Sequence, residues 1–416
     1  MGSDSLRERR KAEKEIMRAQ KRLRKIEQHE SYLYTFLWPA LYKRYSILPI
    51  IENQILFASS SSSALTPDLR PVFNYLNNKG YSCKFIGKFE YNGPNVGSKI
   101  AEFIYYRHFF KHYGRCKCLY LDDTFLPAYS QRARDGQQLV QLWHTFGILK
   151  KWGYAPHESE LSSNIIDKRP MHNTYTAVSV ASDAAKPSFS SAFSCGEEIL
   201  HAWGVPKTDK YFNKAFFKGA RDELIKCVPN LMSRIDGRKI LLYAPTYRGS
   251  QKSPVFHRTL DYALLKRLLG DDYVLLQKRH PYIEDTSLLP DHIKSIAGDF
   301  AFEISAYTPI ETALCGADML ITDYSSVMFE YSLLERPQIF YAYDLHRYKK
   351  EREFFVSYER FVPGAVVFDS LMLADAVKCA ETDFNYEKLR HFRRKYMGGC
   401  DGRATGRVIN FTVNGG

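Results

Sequence analysis

What the sequence lacks narrows its chemistry first. No GxxxxGK[ST] loop is present, and no GxGxxG follows a strand-like run. Those are the glycine-rich turns that cradle phosphates in P-loop and dinucleotide enzymes. HExxH, the pairing of H-x-E with CxxC, and GxSxG are absent too, which removes the usual zinc hydrolase, deaminase and serine-hydrolase signatures. There is no DxD to hold a metal-bound nucleotide sugar, since Asp122 and Asp123 are adjacent rather than spaced. Of eight cysteines only Cys116 and Cys118 stand close together. That is neither a disulfide framework nor a paired zinc spacing, so a reducing compartment is expected. The N-terminus is charged, without the apolar stretch of a secretory signal, and Leu6 stands where a myristoylation signal needs Ser or Thr. The expectation is a protein of the cytoplasm, at most on the inner membrane surface. No internal repeat or long low-complexity tract is evident.

What is present suits two domains of ordinary size in 416 residues. Apolar residues at 45% and aromatics at 14% exclude whole-chain disorder. Lys and Arg number 59 against 46 acids, a net charge of +13. Such an excess fits nucleic acid, an anionic membrane face or phosphate-rich substrates. Residues 1–50 carry twelve Lys/Arg and six acids, so 12 − 6 = +6 of the charge lies in a short arm. Leu6–Glu30 has no Gly or Pro and is rich in helix formers, with only a thin apolar stripe. Ser31–Ile51 then turns aromatic, with Tyr32, Tyr34, Phe36, Trp38, Tyr42 and Tyr45, but Pro39, Lys43, Arg44 and Pro49 make it a poor membrane span. The pair reads as an interfacial anchor on an anionic leaflet; the alternative is a solvated helix followed by a segment packed on the protein's own core.

From residue 52 short apolar runs alternate with helical stretches. Gln54–Ala58, Lys84–Phe89, Cys118–Leu121, Gln138–Trp143 and Tyr175–Val180 read as strands, as do Lys239–Tyr243, Tyr273–Gln277, Met319–Thr322 and Gln338–Tyr341. Two such sets predict an α/β fold of two doubly wound Rossmann-type domains with a cleft between them. The expected division is a basic arm over 1–50, a first domain over 51–195 and a second over 196–416.

Four polar segments each follow a strand, where ligands of parallel sheets collect. Trp143-His144 with Gly147 and Lys150-Lys151 offers an imidazole suited to take a proton near neutral pH. Ala244-Pro245-Thr246-Tyr247-Arg248-Gly249 presents an Arg, the natural bidentate partner of phosphate. Lys278-Arg279-His280-Pro281 is a second basic strand end. Thr322-Asp323-Tyr324-Ser325-Ser326 leads into a helix whose free N–H groups and hydroxyls suit an anion, although an ordinary Ser cap would look the same. Together these groups can hold a pyrophosphate and deprotonate a hydroxyl.

In order and spacing over roughly residues 50–400, these segments resemble the CDP-glycerol glycerophosphotransferase family, the teichoic-acid primases and polymerases of bacteria. The resemblance is carried by Trp143-His144 to Lys151, Tyr243–Arg248, Arg279-His280-Pro281, Thr322–Ser326 continuing through Arg336-Pro337 to Asp344, and Gly204–Asp209. Thr145 departs from it, standing where many members have Gly. The resemblance implies a GT-B-like fold, no cofactor or metal, and transfer of glycerol phosphate from CDP-glycerol to a membrane-bound acceptor with release of CMP. The chain lacks the long N-terminal extension of the larger polymerases, which points to a primase or short polymerase. The implied general base is His144. Arg248 and His280 would hold the pyrophosphate, Ser325 and Ser326 would bind the phosphate under attack, Asp323 would belong to the substrate-binding set, and Lys151 would steady the acceptor's phosphate. Implied partners are CDP-glycerol or CDP-ribitol, a lipid-linked phosphopolyol or glycan acceptor, and an anionic membrane at its cytoplasmic face. Nucleic acid is not expected, for no RNP-like motif or recognition-helix pattern appears. A ribitol-phosphate transferase, and a non-enzymatic basic protein of membranes or nucleic acid, are the alternatives.

Overall fold

The apolar runs of the chain lie in strands of two parallel sheets covered by helices. The structure is a computed structural model. It describes residues 3–414 other than 91–94, 156–170, 229–230, 236, 251–252, 258 and 284–288. Contacts group the chain into two compact units. One comprises Met1–Leu69, Phe73–Gln141 and Arg169–Ala177; the other comprises Arg70–Val72, Leu142–Lys168 and Val178–Gly416. The segment Leu142–Lys168, which lies within the first domain of the expected division, thus groups with the second unit.

In the first unit β1 (Ile51–Ala58), β2 (Ser82–Ile86), β3 (Cys116–Leu121) and β4 (Gln138–Gln141) lie in the order β2-β1-β3-β4, all parallel. Ile55, Leu56, Phe57, Leu119 and Tyr120 are wholly buried, as expected of strands covered on both faces. The chain passes to the second unit within β5 (Ala177–Ser179), which pairs in parallel with the two-residue β6 (Leu200–His201).

The N-terminal arm divides into two physically different parts. The helix Ser3–Tyr32 leaves every described side chain from Glu13 to Gln28 exposed, including Ile16, Met17, Leu23 and Ile26. Its end is tied down by His29, whose Nε2 lies 2.7 Å from Glu102 Oε2. A π-helical turn, Leu33–Leu37, then precedes the helix Trp38–Ser46. Pro39 has no N–H to return to the preceding turn, which is a physical cause for the interruption. Trp38, Leu41, Tyr42 and Tyr45 are buried against the helix Val96–Tyr113, with Trp38 edge-on to Tyr106 and Tyr42 on Tyr113, both at 5.0 Å between ring centres. The reading of this aromatic run as part of an interfacial anchor is therefore corrected for these four residues, which pack on the unit's own core. Among the described residues no helix is long and apolar enough to cross a membrane.

The second unit holds β7 (Lys239–Tyr243), the hairpin β8 (Arg248–Ser250) and β9 (Ser253–Val255), β10 (Tyr273–Gln277), β11 (Ala301–Glu303), β12 (Met319–Thr322), β13 (Gln338–Tyr341) and β14 (Ala365–Val367). Its main sheet has the order β11-β10-β7-β12-β13-β14, parallel throughout. One face is packed by the helices Tyr262–Leu269 and Ser370–Thr382, which bury Leu265, Leu269, Leu373 and Val377 against Leu241, Leu275, Ile321 and Ile339. Both helices start where sequence chemistry dictates: the Asp261 and Asp369 carboxylates accept from the N–H groups of Leu264 and Met372.

Burial separates packing from anchoring in the arm. Trp38 is 2% exposed and Ile47 78%. Trp38→Ala should cost roughly 3–5 kcal/mol in urea unfolding of the full chain, and Ile47→Ala under about 0.5 kcal/mol. Equal midpoints for both variants would contradict this packing.

Candidate active site

Strand order locates the site before any side chain is considered. The main sheet of the second unit begins at its centre with β7, runs outward through β10 to β11, then returns to place β12 on the other side of β7. The connections therefore diverge at the ends of β7 and β12, the switch point where open α/β sheets bind ligands. Three of the four polar segments sit here: Ala244–Gly249 after β7, Lys278–Pro281 after β10 and Asp323–Ser326 after β12. Backbone bonds continue the ladder past the strands, with the Ala244 N–H donating to the Ile321 carbonyl and the Lys278 N–H to the Tyr243 carbonyl, each at 2.9 Å.

Arg248 is the hub of these loops. It is 3% exposed, and its fork donates to both carboxylate oxygens of Asp344, at 2.7 and 2.9 Å. Its Nη1 lies 2.9 Å from Asp323 and donates to the Thr246 carbonyl at 2.7 Å. The rings of Tyr324, Tyr343 and Tyr348 lie 5.1, 5.2 and 4.9 Å from the guanidinium. Burial works against the charge, but Asp323 and Asp344 more than offset it and hold the group firmly protonated. Asp323 is 1% exposed and accepts the N–H groups of Thr246, at 2.8 Å, and Tyr324, at 2.6 Å. Arg248 and Asp323 are thus committed to each other and to the loops, and neither lines the cavity beside them. Arg279 is likewise internal, 3.0 Å from Glu303.

The groups that do face open space are different. A cavity of about 350 Å³, within the range of small-molecule sites, is lined by Thr246, Tyr247, His280, Tyr324, Ser325, Ser326 and Phe329 together with Lys150, Lys151, Trp152, Tyr348 and Arg352. His280 packs tilted against Tyr247 and edge-on to Tyr282, and its Nδ1 accepts the Tyr282 N–H at 3.2 Å. Burial, with Lys150 adding to it, lowers its pKa to about 4. At neutral pH the ring is uncharged, and the Nδ1 bond leaves its proton on Nε2, so His280 offers a hydrogen-bond donor rather than a cation. Ser325 Oγ accepts from the Val327 N–H at 3.4 Å, while the Ser326 hydroxyl makes no capping bond to the short helix Val327–Ser332.

The segment after β4 closes the same cavity. Trp143 adopts the left-handed region, with φ of 53°, which ends the strand two residues before the expected Trp143 limit. Its ring stacks on Trp152 at 4.8 Å and meets Phe193 edge-on. Gly147, with φ of 67°, passes so near Phe189 that a Cβ would lie 2.5 Å from the ring. Leu149–Lys151 is zipped to Glu353–Phe355: the Phe355 N–H donates to the Leu149 carbonyl and the Lys151 N–H to the Glu353 carbonyl. This pairing explains why Leu142–Lys168 groups with the second unit. Lys151 Nζ is spent on Glu353 at 2.9 Å. His144 presents an exposed side chain next to the cavity-lining Thr145, and its carbonyl accepts from Lys207 Nζ at 3.1 Å. Sequence reasoning missed Trp152, Tyr348 and Arg352. They lie outside the strand-end segments, and nothing in their local pattern marks them. Among the described residues no group of three or more His, Cys, Asp or Glu side chains is placed to hold a metal ion.

Fold and site together define a GT-B-like α/β protein with an anion-suited cavity at a strand switch point. The particular kinship follows from comparison. The profile of the CDP-Glycerol:Poly(glycerophosphate) glycerophosphotransferase family matches residues 40–414, and the chain belongs to that family. It is 31% identical over 92% of its length to the teichoic acid poly(ribitol-phosphate) polymerase of Bacillus spizizenii, of which it spans 59%. It is 32% identical to that organism's teichoic acid ribitol-phosphate primase, covering 88% of this chain and 92% of the relative. A solved structure of the wall teichoic acid polymerase TagF, soaked with CDPG, superposes with a TM-score of 0.71 over 96% of this chain and 97% of that one, at 21% identity.

Removing Arg248 would strand two carboxylates in the interior. Arg248→Ala should therefore cost roughly 3–5 kcal/mol in chemical unfolding. Full stability with a selective loss of donor affinity would instead mark Arg248 as a ligand-binding group.

Proposed function

We propose that the chain transfers a polyol phosphate from a CDP-polyol to a hydroxyl of a membrane-bound, teichoic-acid or capsule-like acceptor, with release of CMP. The observation that carries this reading is the cavity at the switch point, lined by His280, Ser325, Ser326 and lysines, in a chain that matches its family over 40–414. CDP-glycerol is the donor that the family's description supports. CDP-ribitol is a second reading, supported by the two Bacillus spizizenii relatives named for ribitol phosphate. In either case the acceptor oxygen attacks the β-phosphorus in line, and the bond from that phosphorus to the oxygen of CMP breaks. His144, exposed beside Thr145, takes the acceptor's proton. The Nε2–H of neutral His280 and the hydroxyls of Ser325 and Ser326 bind phosphate oxygens. Arg248 and Asp323 act through the loops they hold, and Lys151 through its tie to Glu353. Positioning and fixed dipoles supply most of the acceleration in such a displacement.

CMP release from CDP-glycerol and CDP-ribitol in competition, with mass spectrometry of the product on a defined short acceptor, tests the reaction and its donor. His144→Ala should lower kcat by about 10²–10⁴-fold, the usual contribution of a general base. Near-full turnover in that variant would remove His144 from the role, and absence of CMP release from both donors in the unaltered chain would defeat the reaction itself.

The acceptor's membrane is met, in this reading, by the exposed basic helix, on the cytoplasmic face. Ten Lys/Arg lie between Arg7 and Lys25, and each basic residue near an anionic surface contributes about 1 kcal/mol. Deleting residues 1–28, which spares His29 and its Glu102 partner, should weaken binding to phosphatidylserine-containing vesicles at least tenfold and leave turnover of a soluble acceptor largely intact. Undiminished vesicle binding would contradict the role of the helix.

A further inference from the structure

Two lysines are adjacent in sequence, yet the structure gives them opposite surroundings. Lys151 is paired with Glu353. Lys150 forms the bridge partner of Phe354, and its Nζ sits 5.4 Å above the Tyr348 ring on the cavity wall. Among the described residues no hydrogen bond or ion pair engages that ammonium. The buried cations nearby are spent: Arg248 is held by Asp323 and Asp344, and Arg279 by Glu303. Arg352, a further cation of the wall, has no acid partner among the described residues and donates one bond to the Gly249 carbonyl at 2.7 Å. His280 is neutral. An anion entering the cavity thus meets an ammonium with no hydrogen bond or ion pair among the described residues, backed by an aromatic face, with the charge of Arg352 nearby.

We propose that Lys150 is the ammonium that binds the donor's pyrophosphate in this cavity, a role that neither Lys151 nor Arg248 is free to fill. The assignment deepens the transferase reading and rests on it for the identity of the donor. It also makes donor binding sensitive to pH. Burial lowers the Lys150 pKa to about 8, aided by Arg352 and Arg248 and opposed by Asp323. The other groups around it are the uncharged His280, the Tyr348 ring and the Lys151–Glu353 pair. The sign follows: the free protein carries the charge below about pH 8 and loses it above, so anion affinity falls by up to tenfold per pH unit beyond that point.

The test uses the full chain and three probes, inorganic pyrophosphate, CDP-glycerol and CDP-ribitol, with binding followed by titration calorimetry between pH 6.5 and 9.5. Lys150→Met should weaken each bound probe roughly ten- to hundredfold at pH 7, the scale of a lost charge-assisted bond. Lys150→Arg should recover most of the affinity and abolish the break near pH 8. Unfolding midpoints of both variants check that the fold is kept; if Lys150→Met is unfolded, the Lys150→Arg profile alone decides. Affinity within threefold of wild type in a folded Lys150→Met, or a break near pH 8 that persists in Lys150→Arg, overturns the assignment. Pyrophosphate binding that follows these expectations without turnover of either CDP-polyol upholds Lys150 while defeating the transferase reading; turnover with unchanged affinity in Lys150→Met does the reverse.

Discussion

The site depends on one buried cation. Arg248 reaches Asp323 after β12, Asp344 after β13 and the Thr246 carbonyl on its own loop, so three strand ends share a single guanidinium. Desolvating such a group is costly, and only full use of its donors offsets that cost. A lysine could not substitute, because the bidentate contact with Asp344 needs a planar fork. Asp323, held by Arg248, then binds the N–H groups of Thr246 and Tyr324. Loops that would otherwise be free to rearrange are locked where the sheet's topology places a ligand.

This arrangement separates two kinds of polar residue. Charges that build the site are buried and ion-paired: Arg248 with Asp323 and Asp344, and Arg279 with Glu303. The groups left on the cavity wall are hydroxyls, a neutral imidazole, aromatic rings and the cations Lys150 and Arg352. His280 is neutral because burial disfavours its charged form, and the charge of Lys150 adds to that. A wall of this kind can receive a polyanion without first breaking an internal ion pair.

The arm shows how far composition reads and where it stops. Exposed basic helix and buried aromatic helix follow one another within 46 residues, and both are rich in Lys, Arg and rings or alkyl side chains. The helix over Leu6–Glu30 was legible because helix formers run unbroken there. The fate of Trp38 and Tyr42 was not, because it rests on Tyr106 and Tyr113, some seventy residues later in the chain. A ring that packs on a core and a ring that sits in a headgroup layer have the same local sequence pattern.

The same limit applies to the sheets and the site. Continuous apolar runs made β7, β10, β12 and β13 legible to the residue, whereas β6, β11 and β14, of two or three residues at sheet margins, carry too little pattern to read. The strand-end segments were legible because parallel sheets place ligands there whatever the side chains are. Which basic residue of each segment would be buried was not, since it turns on acids far along the chain: Asp344 stands 96 positions from Arg248, and Glu353 stands 202 from Lys151. Arg is the better phosphate ligand by shape, yet that same shape suits a carboxylate equally well. Once Asp344 and Asp323 are within reach inside the fold, the guanidinium is claimed before any substrate arrives. The site's free charge is therefore a remainder, set by which cations the interior leaves unpaired, and a remainder is visible only after the chain has folded.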